Sequence, residues 1–267
     1  MLDTSEILGL GDMESYVVRI VSVRKNAGKT TIGVSLVREL VLKGVKVAAI
    51  KHAHSGVDLS KDTAKYLSSG ADVAVAVGPS WSALYVRNEV LDLNSAINML
   101  PREYRIIVVE GFKKSNIGEV LAVVNSSEEL SVLRNIVTGK IVAVVTSHSY
   151  TGEALSNYTV FNHGSIRELA EFIIERAKVF ALSQTLGLNC GHCGYSTCAE
   201  FSKAYILGKA VECPVMSDVE LVVNGRKVPL SPFVKTALKS TVLGFITSLK
   251  NVPKEPSKIK ELVFRIK

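Results

Sequence analysis

The chain has 267 residues, of which 47% are hydrophobic and 21% charged. That is enough for one large domain, or for a domain of about 150 residues with a smaller companion, and it excludes a disordered tail. The net charge of +7 favours anionic partners such as nucleotides and phosphorylated cofactors, while no apolar run approaches the ~20 residues of a membrane span.

Residues 1–15 read as a lead-in. They begin Met1-Leu2-Asp3-Thr4-Ser5-Glu6, without the basic start of a secretory signal, so a cytoplasmic protein is expected. Tyr16 to Val23 is a short apolar run rich in β-branched residues, which predicts a buried strand. Thr30 to Lys43 has helical periodicity, with Ile32, Leu36, Val37, Leu40 and Val41 on one face. Lys46 to Ile50 predicts a second strand, Lys61 to Ser69 a helix, and Asp72 to Val77 a third strand. Arg105 to Val109 and Lys140 to Val145 predict a fourth and a fifth, and Ser165 to Phe180 an amphipathic helix. Uniformly apolar strands alternating with helices indicate an α/β fold, a mostly parallel sheet with helices on both faces.

The pattern changes near residue 182. A cysteine cluster on turns and a short helix comes next. Then Val219 to Val228 carries Asn224-Gly225 between apolar runs, a two-residue hairpin signal. A helix from Ser231 to Leu249 and a strand from Glu261 to Ile266 would complete a small α+β domain. The expected division is therefore a lead-in over 1–15, an α/β domain over 16–182 and a smaller cysteine-bearing α+β domain over 183–267. The basic stretch Lys250 to Lys267 does not interleave aromatics with its lysines, so nucleic acid is not an expected partner.

The chemistry of the first domain lies in Lys25-Asn26-Ala27-Gly28-Lys29-Thr30-Thr31, placed between the first strand and the first helix. Strand, loop, Gly-Lys-Thr, helix is the layout of a P-loop, in which backbone N–H groups and the helix dipole cradle phosphate oxygens. Lys29 would reach the β- and γ-phosphates, the Thr30 hydroxyl would ligate Mg²⁺, and Gly28 would let the backbone come close. The full pattern begins with glycine at the position of Val23. Glu110 ends the fourth strand, where open α/β sheets place ligands. It could hold Mg²⁺ directly or through water, or orient an attacking water. Lys51, His52, His54, Asp58, Lys61 and Asp62 follow the second strand at the same edge. The lysines could pair phosphates and the aspartates could bind Mg²⁺. Hydrogen bonding to a substrate suits the histidines better than a metal site, and Asp62 or Ser60 could equally cap the helix that follows. No Asn-Lys-x-Asp motif reads the base, although Thr146-Ser147 stands where such a loop would lie.

All four cysteines fall in one segment: Cys190, Cys193, Cys198 and Cys213, spaced C-x2-C-x4-C-x14-C. In a reducing compartment such clustering argues for metal or redox chemistry. Four thiolates satisfy a [4Fe-4S] cluster, small residues at 191, 194 and 196 leave room for sulfide, and Pro214 follows the last cysteine. Structural zinc is the alternative, though it usually takes paired Cys-x-x-Cys knuckles. His192 reads as a neighbour of the loop, not a ligand.

Val23 to Thr31, Ile50-Lys51-His52-Ala53-His54, Lys61-Asp62-Thr63, Ser69-Gly70-Ala71-Asp72 and Val109-Glu110-Gly111-Phe112-Lys113 together resemble the molybdopterin-guanine dinucleotide biosynthesis protein B (MobB) family of P-loop proteins. The resemblance covers about residues 16–180. Departures from the family pattern are Val23 in place of glycine, a shortened Asp58 to Lys61 stretch, and Tyr104-Arg105 where an acidic residue often precedes the strand. The resemblance implies GTP and Mg²⁺ binding through the loop, Lys51, His52, His54, Asp62, Glu110 and Gly111, slow hydrolysis, and a homodimer. It also implies an accessory role in joining a guanine nucleotide to the pterin of molybdenum or tungsten cofactor, with the pterin, its nucleotidyltransferase or a target enzyme as partners. Cys190 to Cys198, Ala204 to Ala210 and Cys213-Pro214 resemble the small iron–sulfur domain of corrinoid iron–sulfur proteins. The rival reading is a nucleotide-gated electron-transfer or iron–sulfur maturation protein, with the cluster as the working part.

Overall fold

The computed structural model describes residues 13–53, 61–86, 92–101, 103–146, 157–210, 213, 219, 221–223, 226–228, 230, 232–255 and 262. Two compact units divide the chain, Ser15–Ile174 and the remainder, Glu175–Lys267 with Met13 and Glu14.

The first unit is built on β1 (Tyr16–Ser22), buried along its whole length as a strand covered on both faces must be. β1 pairs in parallel with β5 (Ile106–Glu110) on one side and β6 (Glu119–Val123) on the other. β2 (Val47–Lys51), β7 (Ile141–Thr146) and β8 (Thr159–Asn162) extend it into a six-stranded sheet, ordered β2-β5-β1-β6-β7-β8. Every pairing in that sheet is parallel, which is the mostly parallel, P-loop NTPase-type sheet expected. α1 (Lys29–Leu42) buries Ile32, Leu36 and Leu40, and its Gly33 faces Ile20 of β1. Alternation along β1 sends Val17, Arg19 and Val21 to the opposite face. There Val17 packs with Leu93 of α3 (Leu93–Asn98), and Val21 with Leu130 and Leu133 of α4 (Ser127–Ile136). α5 (Ile166–Gln184) contributes buried Leu169, Ala170, Ile173 and Ile174, and the division between the units falls inside it.

α2 (Lys61–Ser68) and β3 (Val73–Val77) form where periodicity placed them, but β3 is not a member of the parallel sheet. It pairs antiparallel with β4 (Ser82–Val86) in a separate hairpin closed by Gly78 N–H donating to Trp81 O at 2.9 Å. The run Val73-Ala74-Val75-Ala76-Val77 buries Ala74 and exposes all three valines, so its apolar character is not that of a strand covered on both faces. β4, β6 and β8 were not read from the sequence. β6 escaped because it follows β5 with no helix between them.

In the second unit α6 (Cys198–Ile206) buries Phe201, Tyr205 and Ile206, and the Tyr205 hydroxyl donates to Met13 O at 3.1 Å. β9 (Leu221–Val223) and β10 (Arg226–Val228) pair antiparallel with Val223 opposite Arg226, as a two-residue connection requires. α7 (Pro232–Ser248) matches the helix read from Ser231 to Leu249. The strand expected at Glu261 to Ile266, apart from Leu262, lies outside the described residues, as do Pro214 and the connection Asn224-Gly225.

Candidate functional site

β1 stands where the strand order reverses, so the carboxyl ends of β1, β5 and β2 frame a crevice. The crevice is an open cleft of 1560 Å³, lined by the loop from Val23 to Thr31, by Lys51, His52 and Ala53, by Asp92 to Asn94, and by Glu110 to Ile117. α1 starts with Gly28 at its N-cap in a left-handed conformation, φ 84°, with no side-chain cap and no acid in its first turn. Its first N–H groups and positive end therefore face the cleft without a competing side-chain acceptor. Asn26 also has positive φ, 59°, which turns the loop tightly. Val23, in place of the usual glycine, is half-buried against the cluster of Val21, Ala122 and Val144. Apolar packing anchors the loop's first position.

Lys29 Nζ donates to Ser22 Oγ at 3.0 Å and lies 3.5 Å from Arg24 O. Desolvation holds its pKa below that of an ordinary lysine; the charge of Glu110 acts against this, and those of Lys113 and Lys51 add to it. The Thr30 hydroxyl donates to Glu110 Oε2 at 2.8 Å. Lys51 Nζ lies 3.6 Å from the same carboxylate oxygen and 3.4 Å from Thr30 Oγ1. The parallel register explains the meeting, because Lys51 sits opposite Glu110 across β2 and β5. Thr30, Lys51 and Glu110, from three separate stretches of the chain, thus form one polar cluster with the Lys29 ammonium on the same cleft, suited to a polyphosphate with a divalent cation.

His52 stacks on Phe112 with ring centroids 4.5 Å apart, and its backbone N–H donates to Glu110 O at 2.9 Å. Gly111 has φ 100°, and a Cβ there would lie 2.8 Å from His52 Cβ, so only glycine permits this approach. Lys25, Asn26, Ala27 and Thr31 line the cleft as expected. His54 and Asp58 lie outside the described residues, as do the side chains of Lys61 and Asp62 and, beyond β7, Ser147. The sequence reading missed Asp92, Leu93, Asn94 and Asn116 on the cleft wall. Asp92 had a local signal: it caps α3, accepting from Ser95 N–H at 2.8 Å. His163, also missed, lies against Gly28: a Cβ on that glycine would be 3.2 Å from the imidazole Cε1.

Cys190 is exposed, while Cys193, Cys198 and Cys213 are half-buried. Among the described residues no three His, Cys, Asp or Glu side chains converge closely enough to hold a metal. The segment is ordered around Cys198. A capping box between Thr197 and Glu200 starts α6 at Cys198. Cys198 N–H donates to Asn189 Oδ1 at 2.8 Å, and Asn189 N–H reaches Cys198 Sγ at 3.4 Å. Four accessible thiols, one at a helix N-terminus and accepting a backbone N–H, are a donor set that fits a thiolate-bound cluster.

Comparison with known proteins agrees with both regions. Residues 17–147 match the family described as Molybdopterin guanine dinucleotide synthesis protein B, and residues 187–215 match one described as "Putative Fe-S cluster". The chain is 27% identical over 248 residues to a Methanocaldococcus jannaschii protein named "Putative molybdopterin-guanine dinucleotide biosynthesis adapter protein", covering 88% of this chain and 92% of that one. The crystal structure of Bacillus subtilis MobB aligns with a TM-score of 0.50 at 21% identity, over 60% of this chain and 97% of its own. A MobB homolog from Bacillus stearothermophilus aligns with a TM-score of 0.48 at 21% identity, over 62% and 99%.

Proposed function

We propose that this chain, whose residues 17–147 belong to the molybdopterin guanine dinucleotide synthesis protein B (MobB) family, is a GTP-binding adapter for pterin guanine dinucleotide cofactor assembly. It would act in the cytoplasm, hydrolyse GTP slowly and carry a [4Fe-4S] cluster on Cys190, Cys193, Cys198 and Cys213. The observation that carries the reading is the contact of Thr30 with Glu110, flanked by Lys51 and by the uncapped start of α1 on the same cleft. In this reading the N–H groups from Lys25 to Thr31 hold phosphate oxygens, Lys29 leaves Ser22 for the terminal phosphates, and Thr30 and Glu110 receive Mg²⁺. The guanine base is favoured because the named family and the archaeal relative both concern a guanine dinucleotide. The cleft exceeds the about 300–1,000 Å³ of a typical small-molecule pocket, which leaves room beside a triphosphate for the pterin phosphate.

A homodimer belongs to the same proposal. The β3–β4 hairpin exposes Val73, Val75, Val77, Trp81 and Leu84, with Trp81 87% and Val77 81% accessible. An apolar two-stranded hairpin is marginal alone and gains most from a second copy of itself related by a two-fold axis. Calorimetric titration of GTP and ATP, with and without Mg²⁺, tests the central reading. Tight GTP binding that is lost in Lys29→Ala supports it, and undiminished binding by that variant overturns it.

A further inference from the structure

We infer that Arg19 is a positioning residue for the proposed nucleotide site: from inside the sheet's core it fixes the backbone turn that presents Glu110, Phe112 and Lys113 to the cleft. The inference rests on the nucleotide-binding reading above. Arg19 is in the middle of β1 and is 0% exposed. On its face of the sheet the apolar core is split in two. One cluster holds Val17, Leu93, Ile107 and Val109, the other Val21, Val120, Leu130 and Val144. Parallel strands are normally joined by a crossover helix that covers the face. The connection 111–118 from β5 to β6 contains no helix, so backbone lies where a helix would have satisfied its own polar groups.

Such backbone needs partners from elsewhere. Arg19 supplies them. Its Nη1 donates to Phe112 O at 2.8 Å, with Lys113 O at 3.5 Å, and its Nη2 donates to Thr138 O at 2.5 Å. Thr138 N–H in turn donates to Lys113 O at 2.9 Å, which closes a small network between two loops. Among the described residues the hydrogen-bond partners of Arg19 are carbonyl oxygens and none is a carboxylate. A buried cation with that partner set orders backbone; it does not neutralise an acid. Gly139 keeps the space open, since with φ 103° an added Cβ would lie 2.6 Å from Arg19 Nη2. Phe112 adopts φ 52°, a conformation an L side chain rarely takes, and its carbonyl bond to Arg19 holds it there while its ring rests on His52. Glu110 is two residues before Phe112, so the same network sets where its carboxylate meets Thr30.

Three variants test this: Arg19→Met, which keeps volume without donors, Arg19→Lys, which keeps one charged donor group, and Ile173→Ala, in the buried side of α5, as a core control outside both clusters. In nucleotide-free protein, amide exchange at Ser115 and Thr138, whose N–H groups bond Phe112 O and Lys113 O, should quicken about tenfold in Arg19→Met while Ala122 and Val144 amides of the sheet keep pace with global stability. Arg19→Lys should recover part of that protection. With GTP, the affinity gained on adding Mg²⁺ should fall about tenfold in Arg19→Met and stay unchanged in Ile173→Ala. Unaltered exchange at Ser115 and Thr138 in Arg19→Met, or the same local loss in Ile173→Ala, overturns the inference. Absence of GTP binding by the parent protein overturns the nucleotide reading instead and leaves the exchange result to decide the role of Arg19. If Arg19→Met does not fold, Gly139→Ala, which pushes on the guanidinium, should give the same local exchange pattern; protection left intact there also overturns it.

Discussion

Thr30 and Glu110, eighty positions apart, are joined by a hydrogen bond of 2.8 Å from the threonine hydroxyl to the carboxylate. The two groups proposed to share Mg²⁺ are thus already side by side, and the Lys51 ammonium 3.6 Å from the carboxylate offsets its charge. Metal entry would exchange the Thr30 proton contact for a lone pair directed at the ion. Thr30→Ala should therefore lose about 10–100-fold of the Mg²⁺-dependent part of GTP affinity, and Thr30→Ser should keep it. Glu110→Gln should bind metal-free GTP at least as well, because a negative charge has left the cleft, while hydrolysis falls about a hundredfold. Titrations in Mg²⁺ and in chelator, with single-turnover hydrolysis, separate these effects. Equal losses with and without metal in Thr30→Ala would remove the metal role.

The pH dependence of binding follows from Lys29. Desolvation lowers its pKa from the ordinary 10.5, with Glu110 opposing and Lys113 and Lys51 reinforcing the shift. Phosphate binds the protonated amine, so affinity should be full below the lowered pKa and decline as pH rises through it, before an ordinary lysine would titrate. The unfolded chain keeps its proton up to 10.5, so in that same window it binds more protons and folding stability should rise with pH. Lys29→Arg should move the loss of affinity to higher pH. A binding curve of identical shape in that variant would assign the titration to another group.

Much of the first unit was legible because two periodicities were clean. β1, β5 and β7 are short β-branched runs, and α1 repeats its apolar residues at helical spacing. Glu110 and Lys51 were recognisable as edge residues since each closes a strand. Their contact was not, because it depends on which strands are neighbours, and sequence gives no order for a parallel sheet. β6 was invisible to a reading that expects a helix between strands, and for the same reason nothing marked Arg19. The apolar run around Arg19 reads as buried, but nothing in it says what would satisfy a guanidinium there. The crossover above it supplies carbonyls in place of a helix, and the loop at Thr138 supplies another. The Val73 to Val77 run misled by composition: alternating alanine and valine suits a hairpin with small residues inward.

That hairpin gives a prediction about assembly. Val75 is exposed on β3, and no partner strand flanks β3 and β4 among the described residues. Val75→Lys adds a charge to the apolar face at a position where the isolated chain loses no core packing. Light scattering across a concentration series should show the parent as a dimer and the variant dissociating at least about tenfold more readily. A parent that stays monomeric at high concentration, or a variant that dimerises equally well, would move the dimer to another surface.

The cysteine segment carries the last prediction. It carries Cys190, Cys193, Cys198 and Cys213, and Cys198 is held at the start of α6 by the Thr197–Glu200 capping box. Protein purified without oxygen should contain about four irons and four sulfides per chain if the donor set binds a cubane cluster. Cys198→Ser should lower that content sharply. Thr197→Ala, which loses the cap but keeps every thiol, should cost about 1 kcal/mol of stability and retain the cluster. Zinc without sulfide in the parent protein would replace the cluster by a structural metal. The reduction potential then distinguishes the two functional readings. A gated electron carrier requires nucleotide to shift the potential, because a ligand moves an equilibrium only through its differential affinity for the two states. An adapter requires no such shift. Potentials measured by redox titration should therefore agree with and without GTP, and a shift of about 30 mV or more in this one-electron couple, a change of about threefold in relative affinity, would favour gating.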